Sequence, residues 1–197
     1  MIRAIHIAFF IALSYNLSAQ QDQKMKTLLS EETRISGFIS INTGLIPLNG
    51  NHVLAMGGEG ALVLNNFFLG GYTLRSVEFH SVDTENIYFV EKKLGLSQGG
   101  IMTGYSLRTQ KLIQWDLMMQ IGWGHLSLRS NVNKEILNRD RVNIFTPSLV
   151  AKINLTSFAQ FCVGVSYQFV FGVDYPSLSN KDFHGVCGLM SLRFGWF

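Results

Sequence analysis

The sequence predicts an all-β protein, an eight-stranded antiparallel up-and-down transmembrane β-barrel preceded by a cleaved signal peptide. Three observations carry this. Of the 197 residues, 47% are hydrophobic and only 15% are charged, against about 25% charged in ordinary soluble domains. Beyond the N-terminal region, every apolar run is broken by Gly, Ser, Asn or a charge, so no later segment can cross a membrane as a helix. Several segments alternate bulky apolar with small or polar residues at a period of two, the pattern of strands with two unlike faces. Without spanning helices, a closed barrel is the architecture that satisfies its backbone in lipid.

Residues 1–19 read as a signal peptide. Arg3 supplies the positive end, residues 5–13 form a short apolar core, and Leu17-Ser18-Ala19 precedes Gln20 as a cleavage site. The core is shorter than the roughly 20 residues a spanning helix needs. Gln20 in place of Cys gives no sign of a lipoprotein. Residues 20–33 are polar and are expected as a periplasmic tail, leaving 34–197 for the barrel.

Strand-length segments then follow, bounded by turn residues. The first is 35–46, closed by the turn signal Pro47-Leu48-Asn49-Gly50-Asn51. The second is 52–64, closed by Asn65-Asn66, and the third is 67–79, followed by the polar stretch 80–92. The fourth is 93–108 with a turn at Thr109-Gln110-Lys111. The fifth is 112–128, followed by the polar stretch 129–141. The sixth is 142–155, turning at Thr156-Ser157; the seventh is 158–173, then a loop over 174–181; the eighth is 182–197. Connections after the second, fourth and sixth are short. Those after the third, fifth and seventh are longer, which orients the short turns toward the periplasm and the longer loops outside. The short first connection is the exception.

The fifth and seventh strands distinguish a membrane barrel from a soluble one of the lipocalin type, which would bury its apolar face. One face of the fifth carries Ile113, Trp115, Leu117, Met119, Ile121 and Trp123; the other carries Gln114, Asp116, Met118, Gln120, Gly122 and Gly124. The seventh sets Phe161, Val163, Val165, Tyr167, Phe169 and Phe171 against Gln160, Cys162, Gly164, Ser166 and Gln168. An eight-stranded interior has little room, so the bulky faces belong in lipid. Trp115, Trp123, Tyr167 and Trp196 are then expected at the membrane interfaces. The final segment, Leu189 to Phe197, resembles the C-terminal insertion signal of outer-membrane barrels, carried here by Phe194, Trp196 and Phe197. Its apolar register runs through Met190, Leu192, Phe194 and Trp196, which leaves Phe197 on the opposite face with Arg193 and Ser191.

Pro47-Leu48-Asn49-Gly50, the glycines of Gly57-Gly58-Glu59-Gly60-Ala61, and Asn65-Asn66-Phe67-Phe68-Leu69-Gly70-Gly71-Tyr72 together resemble a family of small exported eight-stranded outer-membrane barrels, as do residues 164–170 and 192–197. The resemblance spans about 35–197 and implies an integral outer-membrane, porin-like fold of a Gram-negative envelope, with no catalytic residues to carry over. Its partners would be outer-membrane lipid and, during insertion, the barrel-assembly machinery, and the chain is expected as a monomer.

Glu59, Asp116, Lys152 and Arg193 fall on inward positions. Two acids and two bases balance, so they are expected as an ion-pair network filling the lumen. A small-solute channel is the alternative reading, against which the lumen width argues. The enzyme alternative is His125 with Ser127 two residues on and Glu135 nearby. This set is similar to lipid A deacylase barrels, although Leu128 stands where Asn is expected. Ordinary interfacial polarity explains the same residues. The leading expectation is therefore a non-enzymatic envelope or surface role. The net charge of +3 is unclustered, which gives no nucleic-acid footprint. The histidines show no metal-ligand spacing, Gly57-Gly58-Glu59-Gly60 lacks the residues of a phosphate loop, and no cofactor is expected. Cys162 and Cys187 are expected inward, at different heights and free.

Overall fold

The structure, a computed structural model, describes residues 33–77, 80–82, 92–107, 112–130, 136–174 and 178–196. The expected signal peptide, the tail apart from Thr33, Glu135 and Phe197 lie outside the described residues. The barrel strands are β1 (Ile35–Leu48), β2 (Asn51–Leu64), β3 (Phe67–Ser76, continued by His80–Val82), β4 (Lys92–Leu107), β5 (Ile113–Ser130), β6 (Ile136–Asn154), β7 (Ala159–Phe171) and β8 (Gly185–Trp196). Each pairs antiparallel with its sequence neighbour, and β8 closes on β1 from Gly37↔Trp196 to Leu45↔Gly188.

Partner-to-partner steps around the wall run Ile35, Leu64, Phe67, Tyr105, Leu117, Leu149, Val165, Gly188 and return to β1 at Leu45, ten residues from the start. This stagger tilts the strands steeply, toward the upper part of the roughly 35–45° range of barrels. Every member of that circuit faces outward and is exposed. The alternation predicted for β5 and β7 holds around the whole wall: Ile39, Ile41, Leu62, Leu69, Ile101, Ile121, Val165 and Met190 stand outside.

The turns follow local chemistry. Asn49 and Gly50 both have positive φ (52° and 74°), the geometry of a two-residue turn matched to the twist of a hairpin. Asn65 also has positive φ, and its side-chain oxygen accepts from the Arg34 amide at 3.0 Å. Two inward glycines make room for lumen aromatics: a Cβ on Gly122 would strike the Tyr72 hydroxyl, and one on Gly104 would strike the Phe68 ring.

Three expectations are corrected. The polar stretch 129–141 is mostly strand, not loop: β5 and β6 reach 18 and 19 residues, and only 131–135 lies between them. Residues 80–92 likewise begin and end in strand, at His80–Val82 and Lys92. A polar outer face does not stop a ladder once it rises above lipid, so the strands continue into water. The eighth strand starts at Gly185, because Asn180–Phe183 forms a short 3₁₀ turn instead. β7 ends at Phe171, opposite Asn143, so β6 from Ile136 to Val142 stands above its β7 partner. β3–β6 therefore form a taller wall than the rest of the barrel. Within the membrane, β6–β7 pairing is interrupted between Phe145↔Phe169 and Ser148↔Ser166, since Pro147 has no amide to offer Tyr167.

Candidate functional site

The lumen is filled in three layers. At the end where β1 begins and β8 ends, the termini of the barrel, four strands bring Glu59 (β2), Asp116 (β5), Lys152 (β6) and Arg193 (β8) together. Arg193 is only 1% exposed. Its Nη1 lies 2.6 Å from Asp116 Oδ2, and its Nε donates to Glu59 Oε1 at 3.3 Å. Nη2 sits 3.3 Å from the same Glu59 oxygen without hydrogen-bond geometry. Lys152 Nζ contacts Asp116 Oδ1 at 2.7 Å and donates to Ser106 Oγ at 2.9 Å, while Ser106 Oγ donates to Asp116 Oδ1 at 2.7 Å. The guanidinium carbon stands 4.3 Å from the Phe38 ring centroid, close enough for a cation–π contact. The set is neutral, with each charge facing at least one opposite charge, which offsets the cost of burying ions.

Above it, Tyr72, Gln98, Gln120, Thr146 and Gln168 surround a cavity of about 30 Å³, large enough for about two water molecules. The third layer is apolar. Ile46, Leu48, Leu96, Leu126, Val142, Ile144 and Val170 pack around Phe183, which is fully buried. The 3₁₀ turn carrying Phe183 is tied over the mouth: the Gly50 amide donates to the Asp182 carbonyl at 3.2 Å, and Gln168 Nε2 donates to the Phe183 carbonyl at 3.2 Å. His184 Nε2 bonds the Val170 carbonyl at 2.7 Å. The interior is thus not uniformly small and polar, as the alternation of β5 and β7 suggested. Strand segments above the membrane lose the bulky-outside pattern, so Leu94, Leu96 and Leu126 carry no sequence mark of facing in.

Cys162 and Cys187 are free and buried; Cys162 faces Ser191 and Cys187 faces Ser166, at different heights. Trp123 is exposed near the end of β5 away from the termini, and Trp115 and Trp196 are exposed near the opposite end. Tyr167 lies outward in the half of β7 nearer Trp123, and Phe194 is outward on β8.

His125 and Ser127 share the outer face of β5, with Glu135 outside the described residues. Ser127 Oγ donates to the Gly95 carbonyl at 3.4 Å rather than to His125. His125 instead belongs to a row that sequence reading missed. Register sets Met56↔Arg75, Arg75↔Ser97, Ser97↔His125 and His125↔Arg141, all outward. These residues lie on five strands, so only the pairing of all five unites them. Counting back from the Asn65-Asn66 turn would have aligned the first two, Met56 and Arg75.

No protein-family model and no curated protein matches the chain. Solved structures do. Neisserial surface protein A superposes with a TM-score of 0.53 at 9% identity, over 81% of this chain and 96% of that one. A major outer membrane protein from Thermus thermophilus gives 0.51 at 8% identity, over 81% of this chain and 99% of that one. The chain has the fold of the small eight-stranded outer-membrane β-barrels, and its broad apolar exterior around a filled lumen makes it an integral membrane barrel of that kind.

Proposed function

We propose that the protein is a non-enzymatic, non-conducting component of the outer membrane that holds a tall β-wall above the outer surface. It is exported by residues 1–19, inserted by the barrel-assembly machinery through its C-terminal strand, and works as a monomer with residues 20–33 in the periplasm. The observation that carries this reading is the filled lumen. An ion-pair cluster, a polar layer and an apolar cap stand in series, and the cavity between them is only about 30 Å³. A solute cannot pass through such an interior, so the working surfaces are the exterior and the raised part of β3–β6. The role is that of an envelope scaffold or a surface for interaction.

The test is reconstitution into planar bilayers. The expected record shows no stable conductance steps; large, long-lived steps at low voltage overturn the reading. Outer-membrane fractionation with heat-modifiable gel migration tests location and fold alongside it.

A further inference from the structure

We propose that the row Arg75–Ser97–His125–Arg141 and the furrow beneath it form a docking site for a phosphorylated lipid of the outer leaflet. The inference rests on the orientation proposed above, with the termini in the periplasm. Charge is the first argument. Among the outward-facing strand positions whose side chains the structure describes, Arg75 and Arg141 are the charged ones, joined only by the histidines His52 and His125, and none is acidic. Neither arginine makes a salt bridge among the described residues. Both are exposed, and both lie at the end of the barrel remote from the termini.

Position is the second argument. The row lies along the aromatic edge of the apolar belt and climbs with the stagger, Arg75 lowest and Arg141 highest: His125 is two residues beyond Trp123 on β5, and Arg141 is four beyond Phe145 on β6. That is the level of lipid head groups. Arginines there meet phosphates with two-pronged hydrogen bonds. Arg75 and Arg141 are three strands apart, about 14 Å between backbones at barrel spacing. A disaccharide head group carrying a phosphate at each end spans a comparable distance. Ser97 and His125, between the two, offer hydrogen bonds to its sugar hydroxyls.

Shape is the third. Below the row an open furrow of about 420 Å³ runs over Gly99, walled by Met56, Thr73 and Trp123. Gly99 has no side chain to fill the space between Thr73 and Trp123, its register partners on either side. The furrow runs from Arg75, Ser97 and His125 down to Gly99 and Trp123, the direction an acyl chain takes from its head group.

The experiment is native mass spectrometry of the intact, folded barrel in detergent. The probes are bis-phosphorylated lipid A, the same lipid with both phosphates removed, and inorganic phosphate as competitor. Expected is preferential retention of the bis-phosphorylated form, a fall of at least tenfold in the bound fraction for Arg75→Ala with Arg141→Ala, and a smaller fall for Gly99→Leu, which fills the furrow. Arg34→Ala, at the opposite rim, is expected to leave retention unchanged. Heat-modifiable migration confirms that each variant is folded. Equal retention of the dephosphorylated lipid, or no change in the double arginine variant, overturns the proposal. Displacement of the lipid by millimolar phosphate overturns the lipid assignment, leaving a bare phosphate site. Conductance in the bilayer test would sink the sealed-barrel reading without touching these outcomes, so the two failures are distinguishable.

Discussion

Replacing Asp116 by Ala tests the lumen most directly. Its two oxygens take an Arg193 nitrogen at 2.6 Å, the Lys152 ammonium at 2.7 Å and the Ser106 hydroxyl at 2.7 Å. Without it, two buried cations share one carboxylate, Glu59. Removing one partner of a buried pair costs about 3–5 kcal/mol, against about 0–1 for a pair in water. With a urea slope of about 2 kcal/mol per molar, the unfolding midpoint falls by roughly 2 M. The assay is urea unfolding of the barrel in lipid vesicles, read by tryptophan fluorescence and by gel migration without heating. Adding Lys152→Met to Asp116→Ala restores neutrality, so the double variant is expected to recover part of the loss. A drop under about 1 kcal/mol for Asp116→Ala, or a double variant as unstable as the two single losses added together, refutes the reasoning that this cluster is a mutually compensated buried network.

Phe183→Ala empties the apolar cap and is expected to cost about 3–5 kcal/mol in the same unfolding assay. The ion-pair layer lies below, so its bilayer records should stay as closed as wild type. Met119, midway on β5 between Trp115 and Trp123, faces lipid near the middle of the membrane. Met119→Arg is expected to destabilise by about 2–4 kcal/mol, and an unchanged midpoint would place β5 in the wrong register.

Most strand positions were legible because the membrane imposes a strict two-faced pattern. Wherever lipid touches one side, as at Ile113 to Trp123 or Val163 to Phe171, alternation gives both the strand and the direction of each side chain. The same parity located Glu59, Asp116, Lys152 and Arg193. Above the lipid that constraint lapses. β5 and β6 run on through residues such as Arg139 and Asp140, whose polarity reads as loop, while ladder hydrogen bonds hold them in water equally well. The cap was hidden for a related reason: Phe183 sits in a turn after a polar loop, and nothing nearby in sequence marks it as buried. The cationic row escaped because it is perpendicular to the chain. Positions 75, 97, 125 and 141 become neighbours only after the stagger of every intervening hairpin is known.

Pro147 gives the wall a line of weakness. A carbonyl deprived of its ladder partner within hydrocarbon is expensive to keep, and Tyr167 loses the amide that a different residue at 147 would supply. Among the described residues, the seven remaining interfaces are zipped without such a gap apart from the bulged ends of the tall wall. Thermal opening of the closed cylinder must begin somewhere, and β6–β7 is where the ladder is already broken within the membrane. Deuterium should enter the amides of 166–169 ahead of those on β1 or β5, and the barrel, pulled or heated, should split along this seam into a sheet whose edges are β6 and β7.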